Sequence, residues 1–290
     1  MSNPDKIASS LPRPRATVAM GFVQGMLAGV TARGGDAGPL LERAGIGREV
    51  LHRPDVRVPV ERYAALYNLL IAELGDEGFA LFSTPLPPGT FEFLCRSVIS
   101  APTLGEALQR STRFLGLVLH DLSVHLESGS AGQALLRIRE ERPLAVGRVF
   151  AFEWLLRLLH GLASWLAGRS IVLERVQFPY PRPAHADDYA LIYTAQSDFA
   201  ADSLAASFSA TLLDLPIRRD EAALASFLEG SPGKITTLYR RDREMVQRVR
   251  DTLRDALPEL PDLEAVAQRL NLSPRTLHRR LEEEGSGFRT

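Results

Sequence analysis

Between Ser273 and Leu281 the chain reads Ser-Pro-Arg-Thr-Leu-His-Arg-Arg-Leu, with three guanidinium groups, an imidazole and two hydroxyls but no acid. On a helix turning about 100° per residue, Arg275, Thr276, His278 and Arg279 cluster opposite Leu277 and Leu281, and Arg280 flanks them. These side chains suit the reading of base edges. Arginine's planar fork of donors matches the O6 and N7 acceptors of guanine in a major groove, and His278 can donate to the same atoms. Arg280, with Ser273 and the helix N-terminus, suits phosphate oxygens, contacts that fix position without reading sequence. The competing reading is a surface helix whose arginines are merely solvated. The small residue Ala267, a helix stop at Asn271 and the inward position of Leu277 favour DNA binding.

A reading helix must be held at a fixed angle, and the residues before it supply the holder. Leu263, Val266, Ala267 and Leu270 recur at i, i+3, i+4 and i+7, one apolar stripe of a short helix. Asp262 stands at its N-cap just after Pro261. Asn271 follows the stripe where a left-handed residue ends a helix, a conformation asparagine tolerates. Ser273 caps the next helix and Pro274 takes its first turn, where the missing N–H costs nothing. The spacing predicts a helix-turn-helix unit.

The string LSPRTLHRRLEEEGSGFR resembles the first helix-turn-helix of the AraC/XylS transcriptional regulators. That resemblance implies base contacts from Arg275, His278 and Arg279. The family turn usually carries glycine where this chain has Asn271. Family DNA-binding domains hold two such units joined by a long helix, and this sequence stops at Thr290, where that helix would begin. The chain is therefore expected to be a piece of a longer protein, with an incomplete DNA-binding region.

The rest of the chain is ordinary in composition. At 290 residues, 45% hydrophobic and 24% charged, it fits about two soluble globular domains. The net charge of −1 makes the electrostatic case for DNA a local one, resting on the short basic stretch. The single Cys95, in FEFLCRSVI, excludes an internal disulfide and a cysteine-based zinc finger and reads as a small buried thiol. No run of 18 uncharged apolar residues appears, and the polar, proline-broken N-terminus is no signal peptide, so a cytoplasmic protein is expected.

The expected organisation is a disordered arm over 1–15, an α+β regulatory domain over 16–229, a linker over 230–240 and the DNA-binding region over 241–290. Up to about Leu119 the pattern is mostly helical, with PVERYAALYNLLIAELG running from Pro59 to a stop at Gly75, and Thr103 and Glu106 forming a capping box. LSVHLES and QALLRIRE alternate apolar and polar residues around a Ser-Gly-Ser-Ala-Gly turn, which predicts a hairpin. A long helix from about Val146 to Ala167 is apolar on much of its circumference, as in a core or an interface. IVLERVQF and LAASFSA read as strands, HADDYALIY as a short helix, and Gly230-Ser231-Pro232-Gly233 as a hinge. Mixed elements without a βαβ rhythm imply α+β. Residues 20 to 215 also resemble the arabinose-binding-like effector domain of one branch of AraC-type regulators. That likeness rests on element order, on SAPTLGEALQRSTRFLGLV, and on VQFPYPRPAHADDY followed by LAASFSATLLDLPI.

Candidate effector-binding residues are Arg113, His120, Trp154, His160 and Tyr193, with Trp165 and Tyr189 beside them. Each has a plainer account: a hydrogen-bonded structural histidine for His120, core positions for His160 and the tryptophans, an internal ion pair for Arg113. Nucleophile elbow, phosphate loop, zinc-protease and dinucleotide motifs are all missing and the six histidines are scattered, so neither an enzyme nor a metal or cofactor site is expected. The expected partners are promoter DNA, a small-molecule effector and a second copy of the chain, by family analogy. A stand-alone ligand-binding or dimerisation module and an enzyme with a structural tail are the rival readings.

Overall fold

The computed structural model describes residues 16–130, 132–217, 219–233, 235, 244–256, 258–259, 261–283 and 288. The expected arm over 1–15 and most of the stretch 234–243 lie outside the described residues. The chain divides into two compact units, one running Thr17–Arg241 and the other including Asp242–Thr290.

The first unit mixes helices and strands. Its helices are α1 (Met20–Ala32), α2 (Gly38–Arg43), α3 (Val60–Leu74), α4 (Thr90–Ile99), α5 (Leu104–Val118), α6 (Arg148–Ala167), α7 (Tyr189–Ile192) and α8 (Glu221–Leu228). Its strands are β1 (Thr17–Ala19), β2 (Arg57–Pro59), β3 (Leu122–Ser128), β4 (Gln133–Glu140), β5 (Arg175–Gln177), β6 (Ser197–Asp198) and β7 (Leu204–Ser209). β1 and β2 pair alone, and the other five form a sheet in the order β3-β4-β7-β5-β6, antiparallel except between β5 and β6. The class is α+β.

The local signals act as the sequence dictates. Gly75 stops α3 at φ 61°, and Thr103 accepts the backbone N–H of Glu106 at 3.3 Å. Only that half of the capping box is present; the Glu106 carboxylate accepts instead from Arg110 at 3.2 Å. The hairpin sets Val124 against Ile138 and Leu126 against Leu136, and Ala134, Leu136 and Ile138 of β4 face inward together. α6 runs through the core, with every residue from Phe150 to Leu166 buried. Among the described residues it is the one helix long and apolar enough to cross a membrane, and 94% of its apolar window is buried inside the protein.

IVLERVQF yields a strand only over Arg175–Gln177. Helix α6 claims the backbone before it: the Ile171 N–H donates to Ser164 Oγ at 3.1 Å, and its carbonyl meets His160 Nε2 at 2.7 Å. No neighbouring strand is needed to satisfy those groups. The presumed hinge is likewise engaged. Pro232 and Gly233 are buried, and Asn68 of α3 both donates to the Gly230 carbonyl and accepts from the Gly233 N–H, each at 3.0 Å.

The second unit holds α9 (Glu244–Asp255), α10 (Leu263–Arg269) and α11 (Pro274–Glu283). Met245, Val246 and Val249 of α9, Val266 and Ala267 of α10, and Leu277 and Leu281 of α11 make a small core of their own, with Leu253, Leu263, Leu270, Leu272 and Phe288 packed around it.

Candidate nucleic-acid interface and binding cavity

In the second unit the turn between α10 and α11 fixes where the basic side chains point. Asp262 accepts the Ala265 N–H at 2.9 Å and starts α10. Asn271 adopts φ 55° after its end. The Leu272 N–H then reaches the Ala267 carbonyl at 2.9 Å and the Asn271 N–H reaches Gln268 at 3.0 Å, the paired bonds of a Schellman stop. Ser273 Oγ accepts the Thr276 N–H at 3.1 Å and lies 2.8 Å from the Thr276 hydroxyl, capping α11. With Leu277 wholly buried and Leu281 3% exposed, the helix can present only one side to solvent. That side carries Arg275, His278, Arg279 and Arg280, all exposed, with Thr276 half-buried at its margin. All six residues singled out in the sequence thus lie on or beside one short helix, at its N-terminal end and outer face.

In the first unit, α6 offers Phe150, Glu153, Trp154, Arg157 and Leu158 along one stripe at i, i+3, i+4, i+7 and i+8. They face a cavity closed by Val18 of β1, Phe22 of α1, Tyr63 and Tyr67 of α3, Ile192 and Tyr193, and Pro232 and Ile235. The cavity holds about 540 Å³ free of protein atoms, part of it open to solvent. Six of its thirteen wall residues are aromatic. The Trp154 indole donates to the Tyr67 hydroxyl at 2.7 Å, and Phe79 lies edge-on to both Tyr67 and Trp154 behind them.

The polar part of the wall centres on Glu153, which is 2% exposed. Its Oε1 accepts from the Tyr189 hydroxyl at 2.5 Å and pairs with His185 Nε2 at 2.6 Å, while Tyr193 donates to the Glu153 carbonyl at 2.9 Å. Burial pushes the Tyr189 and Tyr193 hydroxyls well above the ordinary phenol range, and the Glu153 charge pushes them further the same way. Both stay protonated donors at neutral pH. Burial does the same for Tyr67. Arg157, one turn beyond Glu153, donates from Nη2 to the Ile235 carbonyl at 3.0 Å. The carbonyl it holds belongs to the segment leading to the second unit.

Of the candidate effector residues, Trp154 and Tyr193 come together at this cavity. His160 lies two turns along α6 beside a smaller apolar space lined by Leu104, Leu136 and Phe208, bonded to the Ile171 carbonyl. Trp165 stacks on Phe227 with centroids 4.2 Å apart, and Tyr189 sits behind Glu153. Arg113 and His120 are exposed and do not line the cavity. Glu153, Arg157, Tyr63 and Tyr67 are absent from the sequence-derived candidates. Glu153 and Arg157 carried a signal all the same: an acid and a base four residues apart inside a helix otherwise too apolar to be anything but buried. Charges in such a place need a reason. Among the described residues, no group of three or more His, Cys, Asp and Glu is gathered as for a metal ion.

Comparison with known proteins gives this arrangement a context. Residues 34–217 match the family model of the arabinose-binding domain of AraC transcription regulators, their N-terminal part. The ornithine utilization regulator of Pseudomonas aeruginosa is 28% identical over 275 residues, a span covering 93% of this chain and 80% of that protein. The crystal structure of the transcriptional regulator CdpR from the same organism aligns over 92% of this chain and 80% of its own. Its identity is 18% and its TM-score 0.35, too loose a superposition to bear on the fold.

Proposed function

The chain belongs to the AraC family of transcription regulators, and from that premise we propose how its two units divide the work. The first, over 16–229 with Pro232 and Ile235 of the segment that follows, binds a small-molecule effector in the cavity between α1, α3 and α6. The second, over 241–290, reads promoter DNA through α11, with 230–240 connecting them. Arg275, His278 and Arg279 contact bases, with Thr276 on the same reading face; Ser273, Arg280 and the helix N-terminus hold phosphates. The protein acts in the cytoplasm as a homodimer, the arrangement that suits two-fold operators.

The observation that carries the sensing half is the composition of the cavity wall. Pro232 and Ile235 close it, and their segment is tied to α3 through Asn68 and to α6 through Arg157. A molecule seated against Trp154 and Tyr193 therefore meets the same segment from which the chain continues to the DNA-binding unit. Binding that favours one setting of the segment biases the DNA-binding unit, and by linkage DNA and effector must alter each other's affinity by the same factor. The name of the ornithine utilization regulator ties that relative to a small metabolite.

Selection from a random duplex pool tests the DNA half. Enrichment of a defined sequence, with affinity falling steeply as salt rises, is expected. No enrichment, or binding indifferent to both sequence and salt, would leave a ligand-binding module without DNA function.

A further inference from the structure

Glu153 is 2% exposed, yet only one of its two carboxylate oxygens is used. Oε1 takes the Tyr189 hydroxyl and His185, whereas Oε2 has no hydrogen-bond partner among the described residues. A buried carboxylate oxygen left unmatched is costly, and proteins keep such groups where a ligand completes them. Glu153 is one of the residues that line the cavity.

We propose that Glu153 is the anchor for a protonated amine on the effector. This rests on the sensing role given above to the first unit and names the ligand class. Charge-assisted bonds from an ammonium to a carboxylate are roughly twice as strong as neutral ones. The surrounding wall suits the same ligand, since Phe22, Tyr67, Phe150, Trp154 and Tyr193 supply apolar surface for its carbon frame and ring faces that attract a cation. Arg157 sits farther along the same wall, which favours a positive charge only at the Glu153 end. A neutral alcohol would satisfy the geometry but not the charge, and a carboxylate would be repelled by Glu153.

The test compares isosteres on the intact chain. Binding of 2-phenylethylamine and n-hexylamine is measured by calorimetry and by the fluorescence of the two tryptophans, beside 2-phenylethanol, n-hexanol and hexanoate. At least one amine is expected to bind about tenfold or more tighter than its matching alcohol. In Glu153→Gln the amide oxygen can still accept from Tyr189 and His185, so the fold is expected to stand, and the preference for amine over alcohol should vanish. Alcohol or hexanoate binding as well as the amines, or an amine preference that survives Glu153→Gln, would overturn the assignment while leaving a sensing cavity in place. Absence of binding in every arm would overturn the assignment and count against the sensing role too.

Discussion

Replacing Leu277 with alanine should unfold the DNA-binding unit and leave the sensing unit intact. Among the described residues, Leu277 is wholly buried in a core of seven buried side chains, with five further apolar residues packed against it. Truncating a buried leucine to alanine costs about 2–5 kcal/mol, because packing is lost and the cavity collapses only in part. A unit of about 50 residues, at 0.05–0.15 kcal/mol per residue, has roughly 2.5–7.5 kcal/mol to lose. The substitution therefore removes most or all of its stability. The assay separates the units without cutting the chain, because Trp154 and Trp165 both lie in α6 of the first unit. Tryptophan fluorescence on heating should show an unchanged transition. Far-UV circular dichroism should lose the helicity of α9 to α11 at lower temperature, and DNA binding should disappear with it. If fluorescence and dichroism shift together, or if helicity and DNA affinity are both unaltered, the assignment of Leu277 to a separate small core is wrong.

Further substitutions test other joints of the structure. Ser273→Ala removes the acceptor for the Thr276 N–H and should lower the stability of the second unit by about 1 kcal/mol, seen in the dichroism transition and not in fluorescence. Gly29→Ala would set a Cβ 2.1 Å from the Phe79 carbonyl oxygen. Overpacking of that kind costs about 1–3 kcal/mol, so the fluorescence midpoint should fall by several degrees; an unchanged midpoint would mean the α1 contact yields freely. Burial raises the Cys95 thiol far above its ordinary pKa, so the folded protein should resist Ellman's reagent at pH 8 and react only on unfolding.

The parts of this molecule that were legible in sequence are those set by contacts a few residues apart. The stop at Asn271, the caps at Asp262 and Ser273 and the inward Leu277 and Leu281 all stand where their spacing placed them, because each depends on neighbours within one or two turns. The Leu122–Glu140 hairpin and the burial of α6 followed from period and length in the same way. The cavity was harder to see, because its wall is drawn from residues as far apart as Val18 and Ile235. Aromatic side chains drew attention to Trp154 and Tyr193, yet gave no way to tell them from Trp165, which packs on Phe227. The more telling residues were Glu153 and Arg157, whose charges are out of place in so apolar a helix. The short strands β1, β2 and β6, of two or three residues, are below the length at which alternation can be recognised.

The decisive measurement is the affinity of Arg275→Ala, Arg279→Ala and Arg280→Ala for a selected site and for random duplex, across a range of salt. Loss of Arg275 or Arg279 should cost roughly 1–3 kcal/mol on the selected site and relax base preference. Loss of Arg280 should weaken both duplexes about equally and reduce the salt slope by about one. If the three variants behave alike, or if none differs from the parent chain, α11 does not read DNA through its exposed face.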